Sequence, residues 1–265
     1  MTQPKVLVLG EQFIDKYFIG TADRLSPEMP LPVVAVKEVV QSSGGAGNVV
    51  ENLKSLGAEV RSIIPPSSFP IKNRLIANGH QIARWDEFDS VASYTATQLR
   101  RHESDFAWAD AVILSDYCKG AFGPGIIDCI AGYTFDKTVY IDTKRSPAIF
   151  NTIKVRTFFP NYKEYMQYVT VYNTEEVVIR KEGADGVTFF HYGEPTIHVN
   201  SYSKNPISVS GAGDTVIAAF VYASTHKHKQ LPFFDSLDFA MKAAAVAIGK
   251  PTTACATIDE IEKIT

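Results

Sequence analysis

An α/β fold built on a mostly parallel sheet is predicted by three observations. Short continuous apolar runs, Val6–Leu9, Ala111–Leu114, Val139–Ile141 and Val177–Ile179, are of the kind found in strands covered on both faces. From residue 90 onward, helical patterns alternate with them in the βαβ manner. Strand after strand ends in polar, often acidic residues, which gathers reactive groups at the sheet edge where open α/β folds bind ligands.

In order, the first strand ends in Gly10-Glu11-Gln12-Phe13-Ile14-Asp15. A dinucleotide site would want G-x-G-x-x-G here, and one glycine is too few. Glu11 and Asp15 place carboxylates just past the strand, as ligand groups or as loop caps. Residues 17–41 carry alternating β-rich segments around a loop with prolines at 27, 30 and 32, which suits edge strands and a flap. Ser42-Ser43-Gly44-Gly45-Ala46-Gly47-Asn48 then opens a helix to about Leu56, with Gly57 as its stop. Ala58–Ile64 reads as a strand. A hairpin follows around Asn78-Gly79, carrying Lys72, Arg74 and Arg84 towards an anionic substrate or simply into solvent.

Residues 90–108 are predicted as one amphipathic helix. Strands at 111–114, 139–141, 158–159 and 177–179 and a helix at 124–131 follow, then a hairpin over 186–199. A strand-like lead-in at Ser208-Val209 and helices at 214–225, 231–249 and 258–264 complete the chain. With no repeat or low-complexity linker, 1–265 reads as one domain with a flap.

Composition narrows the function classes. The 265 residues carry 26 basic and 29 acidic side chains, a net charge of −3, so no strong field favours nucleic acid or an anionic membrane. Cys118, Cys129 and Cys255 are scattered without metal-ligand or disulfide spacing, which favours a reducing cytoplasm. No apolar run approaches the ~20 residues of a membrane span. The early start of the first strand leaves no room for a signal peptide. His226 and His228 flank a Lys-rich turn and read as a solvated helix end rather than metal ligands.

The most informative stretch is Ser208-Val209-Ser210-Gly211-Ala212-Gly213-Asp214-Thr215, running into an apolar helix. Its glycines leave backbone N–H groups unshielded at a helix start, a ready anion site. A carboxylate planted there would repel a passively bound phosphate. It suits a phosphoryl transfer in which Asp214 receives the acceptor hydroxyl's proton. An N-capping Asp is the structural alternative.

The early Gly-Gly-Ala-Gly-Asn turn, the middle Asn161-x-x-Glu164 and the late Gly-Ala-Gly-Asp-Thr together resemble the ribokinase-like (PfkB) carbohydrate kinases. Asp15-Lys16-Tyr17, the segment Arg24–Val34 and Leu114-Ser115-Asp116-Tyr117-Cys118-Lys119-Gly120 are similar to the heptose-phosphate kinase branch of ADP-heptose synthesis. So is Ala243–Lys250. The resemblance implies a three-layer αβα sandwich with a small β lid built from about 16–37 and 73–85, through which copies can pair as a homodimer. It implies ATP and Mg²⁺ as cofactors and a sugar phosphate, D-glycero-D-manno-heptose 7-phosphate, as substrate. Asp214 would be the base, and the N–H groups of Gly211, Ala212 and Gly213 would hold the migrating phosphoryl group. Asp15, Gly44, Gly45, Asn48, Arg74, Arg84, Asp116 and Lys119 fall at substrate-binding positions. Asn161, Lys181, Gly183 and Gly186 would bind nucleotide, and Asn161 with Glu164 would help hold the metal.

The chain departs from that pattern in two places. Glu11 stands where the family usually has Asp, and the stretch after Gly57 is shortened. Both leave room for a kinase of another sugar or for a binding protein without turnover. The resemblance shows no cytidylyltransferase-like segment after Thr265, which would put any partner activity on another chain.

Overall fold

The computed structural model describes residues 3–65, 69–172, 176–191, 194, 196–225 and 232–264. Its centre is an eight-stranded sheet. In chain order the strands are β1 (Lys5–Gly10), β4 (Glu59–Ile63), β7 (Ala111–Asp116), β8 (Val139–Thr143), β9 (Arg156–Phe158), β10 (Val177–Lys181), β11 (Val187–Phe190) and β12 (Ile197–Val199). Across the sheet they run β12-β11-β10-β9-β8-β7-β1-β4. Every pair from β4 to β10 is parallel, and only the β10–β11–β12 edge is antiparallel.

Alternate side chains of β1 enter different layers, as a strand buried on both faces requires. Val6 and Val8 join the core beneath α1 (Ala46–Ser55), α6 (Ala212–Thr225), α7 (Phe233–Ile248) and α8 (Ile258–Ile261). Leu7 and Leu9 join the core on the other face, with α2 (Ala96–Arg101), α3 (Glu103–Trp108) and α4 (Ile126–Tyr133). The result is the three-layer αβα sandwich that the resemblance implies. A second, four-stranded sheet stands at the carboxyl edge, in the order β3-β2-β5-β6, formed by β2 (Gln12–Leu25), β3 (Pro32–Gly45), β5 (Ile71–Ala77) and β6 (His80–Glu87). Its strands reach further than 16–37 and 73–85, because β2 and β3 pair all the way from Gln12↔Gly45 to Leu25↔Pro32.

Several elements differ from expectation for local reasons. The helix expected over 90–108 begins at Ala96, capped by the Thr95 hydroxyl accepting from Gln98 N, and breaks at His102 into α2 and α3. The helix placed at 124–131 runs from Ile126 to Tyr133 after a left-handed Gly125. α1 starts only at Ala46, since Ser42 to Gly45 remain paired to β2. Ser208-Val209 is not a strand: Ile207 N and Ser208 N both donate to Ile248 O at the end of α7, at 2.8 and 3.1 Å. Asp214 is not a cap either, because α6 already begins at Ala212. His226, His228, Leu231 and Pro66–Ser68 lie outside the described residues.

Two buried carboxylates fix the carboxyl edge. Glu11 is fully buried and accepts the backbone N–H groups of Tyr117, Lys119 and Ala121 at 2.5, 2.8 and 3.1 Å. It pins the loop after β7 to the end of β1 and is not offered to a ligand. Burial and the nearby Asp116 raise its pKa, and the three N–H donors oppose them. Asp116 is fully buried as well. It is chelated by Arg145 Nε and Nη2, both at 2.8 Å, and receives Thr143 Oγ1 at 2.8 Å and Cys118 N at 3.0 Å. This corrects its expected place among the substrate-binding residues: its lone pairs are consumed inside the fold.

Removing one member of such a pair strands the other's charge. Arg145→Met is expected to lower unfolding free energy by about 3–5 kcal/mol in urea titrations at pH 7. The double variant Arg145→Met with Asp116→Asn should recover part of that loss.

Candidate active site

The first turn of α6, with Gly211 before it, lines a cleft beside the ends of β8 and β10, and Ala212 N donates to Val209 O at 3.4 Å. Gly211 has φ +81°, and a Cβ there would lie 2.5 Å from Asn48 Nδ2, so only glycine lets the turn approach α1. The third helical residue, Asp214, is buried yet lines the cleft. Its two oxygens are held from opposite sides. Asn48 Nδ2 donates to Oδ2 at 3.0 Å, and the Tyr117 hydroxyl donates to Oδ1 at 2.7 Å. Asn52 Nδ2 donates to Asn48 Oδ1 at 3.0 Å, which turns the Asn48 amide nitrogen towards Asp214. Burial pushes the Asp214 pKa up to about 6, against the lowering by Asn48 and Tyr117.

The cleft continues from Asp214 as a cavity of about 310 Å³. One wall is apolar, with Val216, Met241, Ala244 and Ile248. Gly183, Gly186 and Ser201 form another part of the rim. The polar wall carries two lysines beside the glycine turn. Lys181 Nζ lies 2.5 Å from Asp142 Oδ2, and a Cβ on Gly213 would sit 3.2 Å from the same ammonium. Lys144 Nζ is paired with Glu164 at 2.7 Å and lies 3.7 Å from Asp142 Oδ1. Asp142, buried between two cations, is held below its ordinary pKa despite desolvation. Asn161 and Glu164 form a reciprocal capping box at the start of α5 (Tyr162–Gln167): Asn161 Oδ1 accepts from Glu164 N at 2.9 Å, and Glu164 Oε2 accepts from Asn161 N at 2.8 Å.

The second sheet covers the other side of Asp214. Asp15 is buried and paired with Arg74, and a Cβ on Gly44 would lie 2.6 Å from Asp15 Oδ2. Gly45 leads into α1 beside them. Lys72, opposite Asp15 in the β2–β5 register, lies over the rings of Phe13 and Tyr117, at 3.2 and 5.2 Å from their centroids. No carboxylate of the described residues is within ion-pair distance of it. Burial lowers its pKa to about 8, against the raising influence of Asp15. Arg84 is engaged by Asp86, and Lys119 by Asp89.

The fold thus brings Asp15, Gly44, Gly45 and Asn48 to one side of Asp214, and Asn161, Lys181, Gly183 and Gly186 to the other. Asp116 lies behind the site. Tyr117, Asp142 and Lys144 were not expected to face Asp214. Their only signal in sequence was the polar run after each strand, which does not say which side chain turns inward.

Comparison with known proteins places this geometry. Residues 159–259 match the model for the pfkB family carbohydrate kinases. The chain is 31% identical to the bifunctional protein HldE of a Nitratiruptor species, covering 98% of this chain and 65% of the relative. It is 31% identical to HldE of Caulobacter vibrioides over 82% of this chain and 55% of the relative. The chain therefore spans about 65% or less of the length of these curated relatives. Among solved structures it resembles Arabidopsis thaliana ribokinase complexed with ribose and ATP, with a TM-score of 0.71, 16% identity and coverage of 100% of this chain and 99% of that one. Escherichia coli phosphofructokinase-2 in complex with fructose-6-phosphate gives a TM-score of 0.72 at 16% identity, covering 100% and 98%. At those identities the likeness is one of fold. No helix among the described residues is long and apolar enough to cross a membrane.

The raised pKa of Asp214 makes a stability prediction. A carboxyl that titrates near 3.8 unfolded and about 6 folded favours the folded state when protonated. That contribution is present below about pH 4 and is lost as pH rises through about 6. Asp214→Asn is therefore expected to unfold about 2–3 kcal/mol less readily than the parent at pH 8, with the gap closing below pH 4 in urea titrations. An Asn at this position can still accept from Asn48 and donate to Tyr117.

Proposed function

Given that the chain belongs to the pfkB family of carbohydrate kinases, we propose that it transfers the γ-phosphoryl group of ATP to a sugar phosphate. D-glycero-D-manno-heptose 7-phosphate is the proposed acceptor, and Asp214 the base. The observation that carries this reading is a buried carboxylate on the first turn of α6, reached from one side by the sugar-side groups and from the other by the lysine-lined cavity.

The residues divide the work. The sugar would lie under the second sheet, its hydroxyls against Asp15, Asn48 and the Gly44-Gly45 backbone, and its acceptor hydroxyl on a free lone pair of Asp214. A carboxylate with a pKa of about 6 is a better proton acceptor than an exposed one, and it is ionised at neutral pH. The proton moves late, once bonding to phosphorus has acidified the hydroxyl. Backbone N–H groups of Gly211, Ala212 and Gly213, with Lys181 beside them, face the charge that develops on the phosphoryl oxygens. The apolar wall around Met241 and Ala244 suits a nucleobase, and closure of the second sheet as a lid would exclude competing water.

Among the described residues no cluster of three or more His, Cys, Asp or Glu could cage a metal. Glu164 with Asn161 fits a hydrated Mg²⁺, which keeps several waters and needs few protein ligands. Bound there, the ion would supply charge neutralisation for the nucleotide's phosphates. Its binding would have to compete with the Lys144–Glu164 pair and the capping box.

A phosphorylated acceptor is favoured over a neutral sugar by Lys72, which is half-buried among rings without a carboxylate partner. Arg74 and Arg84 lie close enough to add to its positive field. The sibling reading, a kinase of another sugar phosphate, shares this charge pattern. It is also favoured by the fold-level likeness to a protein that binds fructose-6-phosphate.

A sugar panel read by coupled ADP release tests the acceptor. Turnover of heptose 7-phosphate supports the proposal, and activity confined to neutral pentoses or hexoses overturns it. Asp214→Asn is expected to lose about 10²–10⁴ in kcat with nucleotide binding little changed, and parental turnover would refute the base assignment. Lys72→Met should raise KM for the sugar phosphate by about tenfold or more, through loss of a charge-assisted contact, while KM for ATP stays within about twofold.

A further inference from the structure

We propose that Tyr117 is a positioning residue for the phosphoryl-transfer reaction, its hydroxyl holding Asp214 in the orientation and ionisation state that accept the sugar's proton. This deepens the reading of Asp214 as base and rests on it.

The geometry is specific. Tyr117 follows β7, and the loop that carries it is pinned by three backbone N–H groups donating to Glu11, one of them its own. Its ring stands edge-on to Phe13, with centroids 5.0 Å apart and planes at 82°. Lys72 and Lys144 flank that ring at 5.2 and 5.3 Å, one from each side of the cleft. The hydroxyl ends 2.7 Å from Asp214 Oδ1. It has no other hydrogen-bond partner among the described residues, so its orientation is dictated by Asp214. Burial and the charge of Asp214 hold the phenol well above its usual pKa, so it stays a donor at any working pH.

An ionised carboxylate offers about four lone-pair sites. Asn48 takes one on Oδ2 and Tyr117 one on Oδ1, which fixes the carboxylate plane and leaves acceptor capacity for the sugar hydroxyl. With Asn48 alone, the carboxylate could turn about its last bond, and a misplacement of about 1 Å at this distance is costly in rate. Both donors favour the ionised form. They oppose the burial that would otherwise leave the base protonated at neutral pH. The other charged groups around Asp214 are Asp142 and Lys144 at the end of β8, Lys181 of β10, and Asp15 and Lys72 of the second sheet. None of them makes a hydrogen bond to its carboxylate.

Tyr117→Phe tests this, since the ring and its contact with Phe13 remain. The first readout needs no sugar: the carboxyl titration of Asp214, followed by ¹³C NMR in protein labelled at the Asp carboxyl carbon and assigned by the signal missing in Asp214→Asn. In Tyr117→Phe it is expected to move up by about one pH unit, because a donor to the ionised form is gone. 3-Fluorotyrosine at position 117, a stronger donor of nearly the same shape, should move it down. The second readout is kcat for heptose 7-phosphate, expected to fall about ten- to a hundredfold with KM for ATP unchanged. In the Asp214→Asn background the same change should have no further effect.

An unmoved titration in both Tyr117 variants overturns the inference, whichever sugar is the substrate. So does a moved titration with parental kcat, or an equal loss in the Asp214→Asn background, either of which makes Tyr117 independent of the base. If Asp214→Asn itself turns over like the parent, the base assignment falls and takes this inference with it. If heptose 7-phosphate is not turned over at all, only the substrate assignment fails, and the titrations still decide the role of Tyr117.

Discussion

A carboxylate that must stay buried and yet ionise is the constraint on which this site depends. Desolvation raises the pKa of Asp214, and an unopposed burial would leave it neutral. The fold answers with two neutral donors, Asn48 from α1 and Tyr117 from the loop after β7, rather than with a paired cation. A cation bonded to Asp214 would have made it a poor proton acceptor. The lysines stand instead on the neighbouring carboxylates, with Asp142 taking Lys181 and Glu164 taking Lys144. The negative charge of Asp214 and the positive charges of Lys181 and Lys144 are thus kept side by side, each held by partners of its own.

That separation explains the buried charge elsewhere at the carboxyl edge. Glu11 and Asp116 are expensive to bury, and each is satisfied within the fold, Glu11 by three backbone N–H groups and Asp116 by Arg145, Thr143 and Cys118 N. Together they clamp the 116–121 loop that carries Tyr117. A glutamate reaches those N–H groups from the end of β1, so the substitution of Glu for the family's usual Asp reads here as loop architecture. The second sheet is joined to the same region through Asp15–Arg74 and through the Tyr17 hydroxyl, 3.2 Å from Thr253 Oγ1.

Much of this was legible in the amino-acid sequence. The strands at 111–116, 139–143 and 177–181 announced themselves as apolar runs, because a strand buried on both faces has no polar side to hide. The Gly211–Asp214 turn was equally plain, since two glycines followed by an acid at the head of an apolar run mark a helix start. The helix over 90–108 was misjudged because apolar spacing persists across His102, where only the local backbone departs from helix. Asp116 was misassigned for a different reason. Its partner Arg145 is 29 residues away and meets it only because β7 and β8 are parallel neighbours.

By itself, then, the sequence determined the α/β class with its mostly parallel sheet, the two glycine turns and the acid that follows the second of them. These follow from short-range rules: side-chain periodicity, glycine's freedom and the unpaired N–H groups of a helix start. The tertiary structure alone decided which polar groups at the strand ends face the cleft and which are spent inside the fold. Asp116 and Tyr117 are adjacent in the chain, yet one turns back to Arg145 and the other forward to Asp214. That choice depends on partners brought together from α1, β7, β8 and α6, and no local pattern encodes a contact between segments so far apart.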